Sequence, residues 1–355
     1  MQSRRIVWRI DRSGSLSRLK RVEEDIGPPG EGEAQIAVRA VGLNFADLLA
    51  CQGLYSATPG GSFVPGLEVA GRVTALGAAR AGAVHTLRVG DAVIALTRFG
   101  GYASALNVDA RYIQPLPEGW SFEQGAAYPV QALTAWYGLL ELGNARHGSL
   151  VLVQSAAGGV GLNALAILNH LGARAVAVVG SEQKIAFLER DFGMPHSRVV
   201  LRRADGYAAA LDAALRASDA TGFDLVFDAV LGSWFKPAFE RLAPEGRYVL
   251  YGAADFVTPG ARPSWPHLLS RWLRRPRLDP LAMIAQNRAL LAFNLIWLWQ
   301  AVERVPAAYA SLAALGLGPP HVGARHPFAD ALPALAELQS GQTVGKSVLW
   351  IDHHS

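Results

Sequence analysis

A single cysteine, Cys51, stands in 355 residues. No internal disulfide can form, and a structural zinc site built on several thiolates is excluded. Charge is also scarce, at 17% against 51% hydrophobic residues. That balance buries a large core and argues against disorder. The 33 Lys+Arg and 29 Asp+Glu leave a net charge of only +4. One dense basic run exists (Arg271, Arg274, Arg275, Arg277). No basic face with interleaved stacking aromatics goes with it, so nucleic acid is not read as a partner. No apolar run reaches the roughly 18 residues of a membrane span. Ala289 to Val302 comes nearest and is broken by Asn294 and Gln300. The opening MQSRRIVWRIDRSGS has no continuous apolar stretch of the signal-peptide kind. A soluble, reducing, cytoplasmic setting is the expectation.

What is present is periodicity of two kinds. The first third reads as strands at Ala34 to Val41, Leu67 to Leu76 and Asp91 to Leu96, separated by Gly- and Pro-rich turns. Short strands with regular turns predict a barrel-like unit. From about residue 125 the pattern changes. Gln124 to Leu142 is helical in period, and Leu150 to Gln154 is a short apolar run suited to a buried parallel strand. A helix from Gly158 to Leu171, a strand from Ala175 to Val179 and a helix from Ile185 to Phe192 follow. Further strands are read at Arg198 to Leu201, Phe223 to Phe227 and Arg247 to Tyr251. This alternation implies an α/β, doubly wound parallel sheet. Pro259 to Pro280 reads as an irregular excursion with short helices; a helix from Asp330 to Gln339 and a strand from Lys346 to Ile351 close the chain.

The turn Ala156-Ala157-Gly158-Gly159-Val160-Gly161 follows a buried strand and opens a helix. Its glycines match the second and third of G-x-G-x-x-G, with Ala156 in the first place. Gly158 permits close approach of a pyrophosphate, and Gly161 permits close packing of helix on sheet. The helix N-terminus offers free N–H groups and a positive dipole end. Without a ligand the same segment would be a tight strand-to-helix turn.

The corner after the second strand selects the cofactor. An NAD enzyme usually places Asp or Glu there, on the ribose hydroxyls. This chain has Gly180-Ser181, then Glu182, with Lys184 on the next helical turn and Arg202 and Arg203 after the third apolar run. A small hydroxyl beside cations suits a 2′-phosphate, so NADPH is the expected cofactor. Tyr251-Gly252-Ala253 ends a sheet strand, where dinucleotides bind. Ser155 lies in QSAAG, not G-x-S-x-G, so a hydrolase nucleophile is rejected. The pairs His321/His326 and His353/His354 read as surface histidines.

Gly42-Leu43-Asn44-Phe45-Ala46-Asp47, Gln52-Gly53-Leu54-Tyr55, Pro65-Gly66-Leu67-Glu68 and the AAGGVG turn together resemble the medium-chain dehydrogenase/reductase superfamily, most nearly its zinc-free quinone oxidoreductase group. Asn287-Arg288-Ala289-Leu290-Leu291-Ala292-Phe293 resembles the synaptic vesicle membrane protein (vesicle amine transport protein) branch. The resemblance runs from about residue 30 to 350. It implies a GroES-like β-barrel catalytic domain made by both chain ends (1–128 and 298–355) around a Rossmann domain (129–297), with NADPH between them. Zinc-containing relatives carry Gly-His-Glu where this chain has Gly66-Leu67-Glu68, and Leu67 cannot ligate a metal. No metal is expected.

The resemblance also implies roles. Tyr55 matches a catalytic tyrosine of zinc-free enoyl thioester reductases, a proton donor or a pocket-lining aromatic. Asn44 matches an asparagine near the nicotinamide and ribose, a catalytic and cofactor-binding residue whose amide can donate and accept at once, with Asp47 either orienting that amide or solvated. Thr134 lies on a helix under the nicotinamide or is a helix-packing hydroxyl, Phe293 and Leu295 cover the cofactor or pack in the core, and Lys346 is a terminal cofactor contact. The expected activity is NADPH-dependent reduction of an enone, enal or enoyl C=C, or of a quinone, the acceptor free or thioester-bound. The basic run from Arg271 would then greet an acidic carrier. The rival class is a regulatory protein that holds NADPH with little turnover and touches a membrane through Trp265, Leu268, Leu269 and Trp272, spaced for one helix face. Coverage of a cleft or a dimer contact is the commoner use of such a face. An apolar outer strand near Leu290 to Leu295 implies a homodimer by edge pairing.

Overall fold

The computed structural model describes residues 3–80 and 87–352. Along the chain, strands β1 (Ser3–Ile10) and β2 (Leu19–Ile26) form an antiparallel hairpin. Strand β3 (Glu33–Gly42) leads to helix α1 (Phe45–Gln52), then β4 (Glu68–Leu76), β5 (Ala92–Leu96), β6 (Ala105–Asp109) and β7 (Ile113–Pro115). Buried and half-exposed residues alternate along β3, as a sheet with one wet face requires.

Helices α2 (Phe122–Ala126) and α3 (Pro129–Trp136) stand where the sequence predicts one continuous helix. Pro129 explains the break: it sits well at a helix start but has no N–H to donate to the preceding turn, so the helical hydrogen-bond ladder is interrupted there. A six-residue π-helical stretch, Tyr137–Leu142, extends α3.

Next come β8 (Leu150–Gln154), α4 (Gly159–His170), β9 (Arg174–Val179), α5 (Glu182–Phe192), β10 (Val199–Leu201) and α6 (Tyr207–Ala217). Strand β11 (Phe223–Asp228), α7 (Phe235–Glu240), β12 (Leu242–Leu250), α8 (Trp265–Leu273), α9 (Pro280–Gln286) and β13 (Ala289–Ala292) follow. The chain returns through α10 (Arg304–Ala314), β14 (Val322–Pro327), α11 (Ala331–Ser340) and β15 (Lys346–Trp350).

Strands β8 to β13 make a six-stranded parallel sheet in the order β10-β9-β8-β11-β12-β13. The order reverses between β8 and β11, and ligands bind outside the carboxyl ends of strands at such a point. All of β8 is buried, as a central parallel strand must be. A seven-stranded sheet runs β14-β15-β3-β4-β5-β7, with β6 on β3. Both ends of the chain therefore build it: β15 lies antiparallel on β3, pairing Val348 with Gly42. These are the GroES-like and Rossmann units of the fold class read from the sequence.

Candidate functional site: a cleft with a glycine turn, a cation corner and a buried ion pair

The glycine turn is shaped by contacts that forbid side chains. Ser155 adopts φ 53°, and the Ala156 amide donates to the Val178 carbonyl at 3.0 Å, tying the turn to β9. A Cβ on Gly161 would lie 2.5 Å from the Ser155 oxygen and 2.6 Å from Ala156 Cα, so helix and strand meet there. A Cβ on Gly158 would find only the Ser155 oxygen, at 3.3 Å. Gly158 is thus open toward the cleft, which Ala157, Gly159, Val160 and Gly161 also line. The return of the chain touches this turn: the Gly345 amide donates to the Ala157 carbonyl at 2.8 Å.

Beside the turn lies a corner of cations. Gly180, Lys184 and Arg202 line the cleft. Arg202 sits over the Trp234 ring at 5.7 Å and reaches Ser155 Oγ at 3.5 Å. Lys184 Nζ donates to the Gly341 carbonyl at 2.6 Å, where α11 ends in a left-handed glycine. Neither cation is in an ion pair among the described residues. Burial, and after it the charge of Arg202, pushes the Lys184 ammonium down to about 8. Burial likewise lowers Arg202.

Ser181 departs from expectation. It stands in extended conformation at the start of α5, its carbonyl accepting from the Lys184 and Ile185 amides, and it is not part of the cleft wall. Its side chain makes no capping hydrogen bond, and the cleft wall at this corner is formed by Gly180, Lys184 and Arg202. Arg203 also turns away, pairing with Glu182 on the surface at 2.8 Å.

At the other end of the cleft a buried polar network joins four elements. Asn44 Nδ2 donates to Glu68 Oε1 at 2.9 Å and to the Gly42 carbonyl at 3.3 Å. Asn44 Oδ1 accepts from Lys346 Nζ at 2.7 Å and from Gln131 Nε2 at 2.9 Å. Lys346 also meets Glu68 Oε1 at 2.5 Å, and the Val130 amide holds Glu68 Oε2 at 2.8 Å. The Asn44 amide is therefore fully engaged within the protein, while the residue itself lines the cleft.

Asp47 is buried and does not orient that amide. It accepts from the Asn44 backbone N–H at 2.8 Å, the Gly66 amide at 3.2 Å and the Tyr102 hydroxyl at 3.1 Å. Burial lifts its carboxyl to about 7 against these donors. Glu68 and Gln131 are members of this network that the sequence does not single out. A carboxylate in a turn motif and a glutamine on a helix carry no signal until the fold stacks them.

Tyr55, Thr134, Tyr251, Gly252, Ala253, Phe293, Leu295 and Lys346 all line the same cavity, of about 590 Å³. Phe293 is packed edge-on against Tyr137 at 5.0 Å, and Tyr251 stacks on Phe227 at 4.2 Å. The Tyr55 hydroxyl donates to Asn294 Oδ1 at 2.8 Å, and burial pushes its phenol up to about 12. Leu67 is buried in the wall. No three His, Cys, Asp or Glu side chains converge to hold a metal among the described residues.

Other features fall elsewhere. His321 packs on Phe187 at 5.0 Å and His326 meets Glu337 at 2.8 Å, while His353 and His354 lie outside the described residues. Helix α8 does not cover the cleft: Trp265, Leu269 and Trp272 are exposed, Arg271 is paired with Asp255 at 3.1 Å, and Arg275 lies over Trp272 at 4.0 Å. No helix among the described residues is long and apolar enough to cross a membrane.

Known proteins share this architecture. An alcohol dehydrogenase GroES-like domain matches residues 30–118, and a zinc-binding dehydrogenase domain matches residues 159–271. The human synaptic vesicle membrane protein VAT-1 homolog is 32% identical over 341 residues, 95% of this chain and 84% of that protein. A mycocerosic acid synthase-like polyketide synthase of Mycobacterium tuberculosis is 32% identical over 340 residues, 96% of this chain and 15% of the synthase. The quinone oxidoreductase of Thermus thermophilus, a structure solved also as its complex with NADPH, is similar with a TM-score of 0.74 and 29% identity, covering 97% of this chain and 99% of that one. The chain belongs to the medium-chain dehydrogenase/reductase superfamily of oxidoreductases, in the quinone oxidoreductase group near the VAT-1 homologues.

Proposed function

We propose that the protein is a zinc-independent, NADPH-dependent reductase that delivers hydride to a C=C conjugated with a carbonyl, or to a quinone. The observation that carries this reading is the union, in one cleft, of the glycine turn, the unpaired cations Lys184 and Arg202, and Tyr55. The relatives named above, one a quinone oxidoreductase and one a polyketide synthase, support the same acceptor class.

The cleft fits the dinucleotide. Gly158 to Gly161 and the N-terminus of α4 would hold the pyrophosphate, and Lys184 with Arg202 the 2′-phosphate. Thr134, Tyr251, Gly252, Ala253, Phe293 and Leu295 would hold the nicotinamide half. When bound, NADPH supplies the hydride. Leu67 offers no ligating atom, and both oxygens of Glu68 are held by Asn44, Lys346 and Val130, so polarisation by zinc plays no part in this reading.

What the protein's own residues supply is position and a proton. Phe45, Leu49, Trp136 and Tyr137 give the cleft apolar walls, which suit an uncharged acceptor and exclude water. Tyr55, neutral throughout the working range, holds the proton that the reduced acceptor requires. Lys346 and the Asn44 amide hold the wall in place. We further propose a homodimer through the exposed edge of β13, where Leu290 is exposed.

The test is a panel assay following NADPH and NADH consumption with benzoquinones, 2-alkenals and enoyl thioesters, with and without chelator. Chelator-insensitive turnover with NADPH is expected. Absence of NADPH binding removes the reading, and loss of activity on chelation removes its zinc-independent part. Sedimentation as a monomer at micromolar concentration removes the dimer.

A further inference from the structure

Asn294 follows β13, and its place is fixed by the sheet, since the Phe293 amide donates to the Leu250 carbonyl at 3.1 Å. Its side chain reaches across the cleft to the loop after α1. Oδ1 accepts the Tyr55 hydroxyl at 2.8 Å and the Ile296 amide at 3.4 Å; Nδ2 donates to Ser56 Oγ at 3.4 Å. The loop is closed on itself, the Thr58 amide and hydroxyl both donating to the Tyr55 carbonyl, at 3.0 and 2.6 Å. So the backbone of Tyr55 is set by its own loop, and its hydroxyl is set by a residue 239 positions away.

We infer that Asn294 is the positioning residue for Tyr55, its amide oxygen holding the phenol proton ready in the resting cleft. The inference rests on Tyr55 being the proton donor of the proposed reduction. An amide oxygen accepts a hydrogen bond and does not take the proton, so the phenol stays neutral while its direction is fixed. A carboxylate in the same place would hold the proton by a charge-assisted bond and resist its release. In turnover the Tyr55 O–H bond breaks as the acceptor gains the proton, the hydride and its electron pair coming from NADPH. The phenolate then regains a proton from water and returns to Asn294.

A double-mutant cycle tests this. Steady-state kcat and KM are measured with NADPH and the best acceptor for Asn294→Ala, Asn294→Asp, Tyr55→Phe and the Tyr55→Phe/Asn294→Ala pair. Loss of a positioned general acid lowers kcat by about 100-fold. Asn294→Ala is expected to cost roughly a tenth of that effect, about tenfold in kcat, and to leave the KM for NADPH within about twofold. In the Tyr55→Phe background the same substitution should change nothing. Asn294→Asp, close to isosteric, should slow kcat and enlarge its solvent deuterium isotope effect, a change that a merely structural role would not produce.

If Asn294→Ala leaves kcat intact, or costs the same with Tyr55 removed, the inference is overturned while the proton-donor reading survives. If Tyr55→Phe itself retains full kcat, the donor reading fails, and the inference with it. If Asn294→Ala does not fold, Asn294→Asp decides alone: an unchanged isotope effect overturns the proposal.

Discussion

Glu68 and Lys346, 278 positions apart in the chain, form an ion pair in which the two side chains are 0% and 3% exposed. Asn44 bonds to both partners, so one buried charge pair joins α1, β4 and β15 beneath the cleft.

Removing one member of such a pair leaves the other charge buried without its partner, at a cost of about 3–5 kcal/mol. Lys346→Met is therefore expected to lower unfolding stability by that amount in urea or guanidinium titration. Glu68→Gln combined with Lys346→Met should cost less than the sum of the single changes, because no orphaned charge remains. Additive losses would show that the two groups act independently.

Lys184 and Arg202 should set cofactor preference. Each hydrogen bond to a charged group is worth about 1.5–3 kcal/mol, or roughly 10- to 150-fold in affinity. Arg202→Ala and Lys184→Ala should each weaken NADPH by an amount in that range and leave NADH little changed. Fluorescence titration of both dinucleotides reads this directly. Equal weakening of both would place these cations away from the 2′-phosphate.

The same corner should carry a pH dependence. Burial brings the folded-state Lys184 to about 8, below its ordinary 10.5. Between these values the unfolded chain binds the proton that the folded one has lost, so this group's contribution makes stability rise with pH across that window. Binding runs the other way: a 2′-phosphate needs the ammonium, so NADPH affinity should fall as pH climbs past about 8 while NADH affinity stays flat. Lys184→Arg, always charged, should abolish the fall. A fall of equal size for NADH would assign the effect to another group.

The parts of this cleft that were legible in the sequence are those whose chemistry is local. Leu150 to Gln154 and the AAGGVG turn state their geometry within a dozen residues, because a buried parallel strand, a tight turn and a helix start all constrain neighbours. Gln131, Glu68 and Asn294 were not legible: each acts through a partner dozens or hundreds of positions away. Strand β14 was missed for a related reason. VGARHP has neither alternation nor apolar density, and β14 exists because it pairs with β15. Ser181 shows the converse: a local pattern marks it, and the fold places it at the start of α5, outside the cleft wall.

Two glycines three positions apart should separate folding from binding. At Gly161 an added Cβ meets backbone at 2.5 and 2.6 Å, from the Ser155 oxygen and Ala156, atoms that cannot yield without moving strand from helix. Overpacking of this kind costs about 1–3 kcal/mol, so Gly161→Ala should lower the unfolding midpoint as well as cofactor binding. At Gly158 the methyl meets only one oxygen at 3.3 Å and otherwise enters the cleft. Its backbone is extended, with φ −83°, which alanine adopts without strain. Gly158→Ala is therefore expected to keep wild-type stability and to weaken NADPH, because the methyl occupies the approach of the pyrophosphate. Paired thermal melts and cofactor titrations of the two variants decide it: a Gly158→Ala chain that binds NADPH normally would show that the pyrophosphate does not lie against this turn.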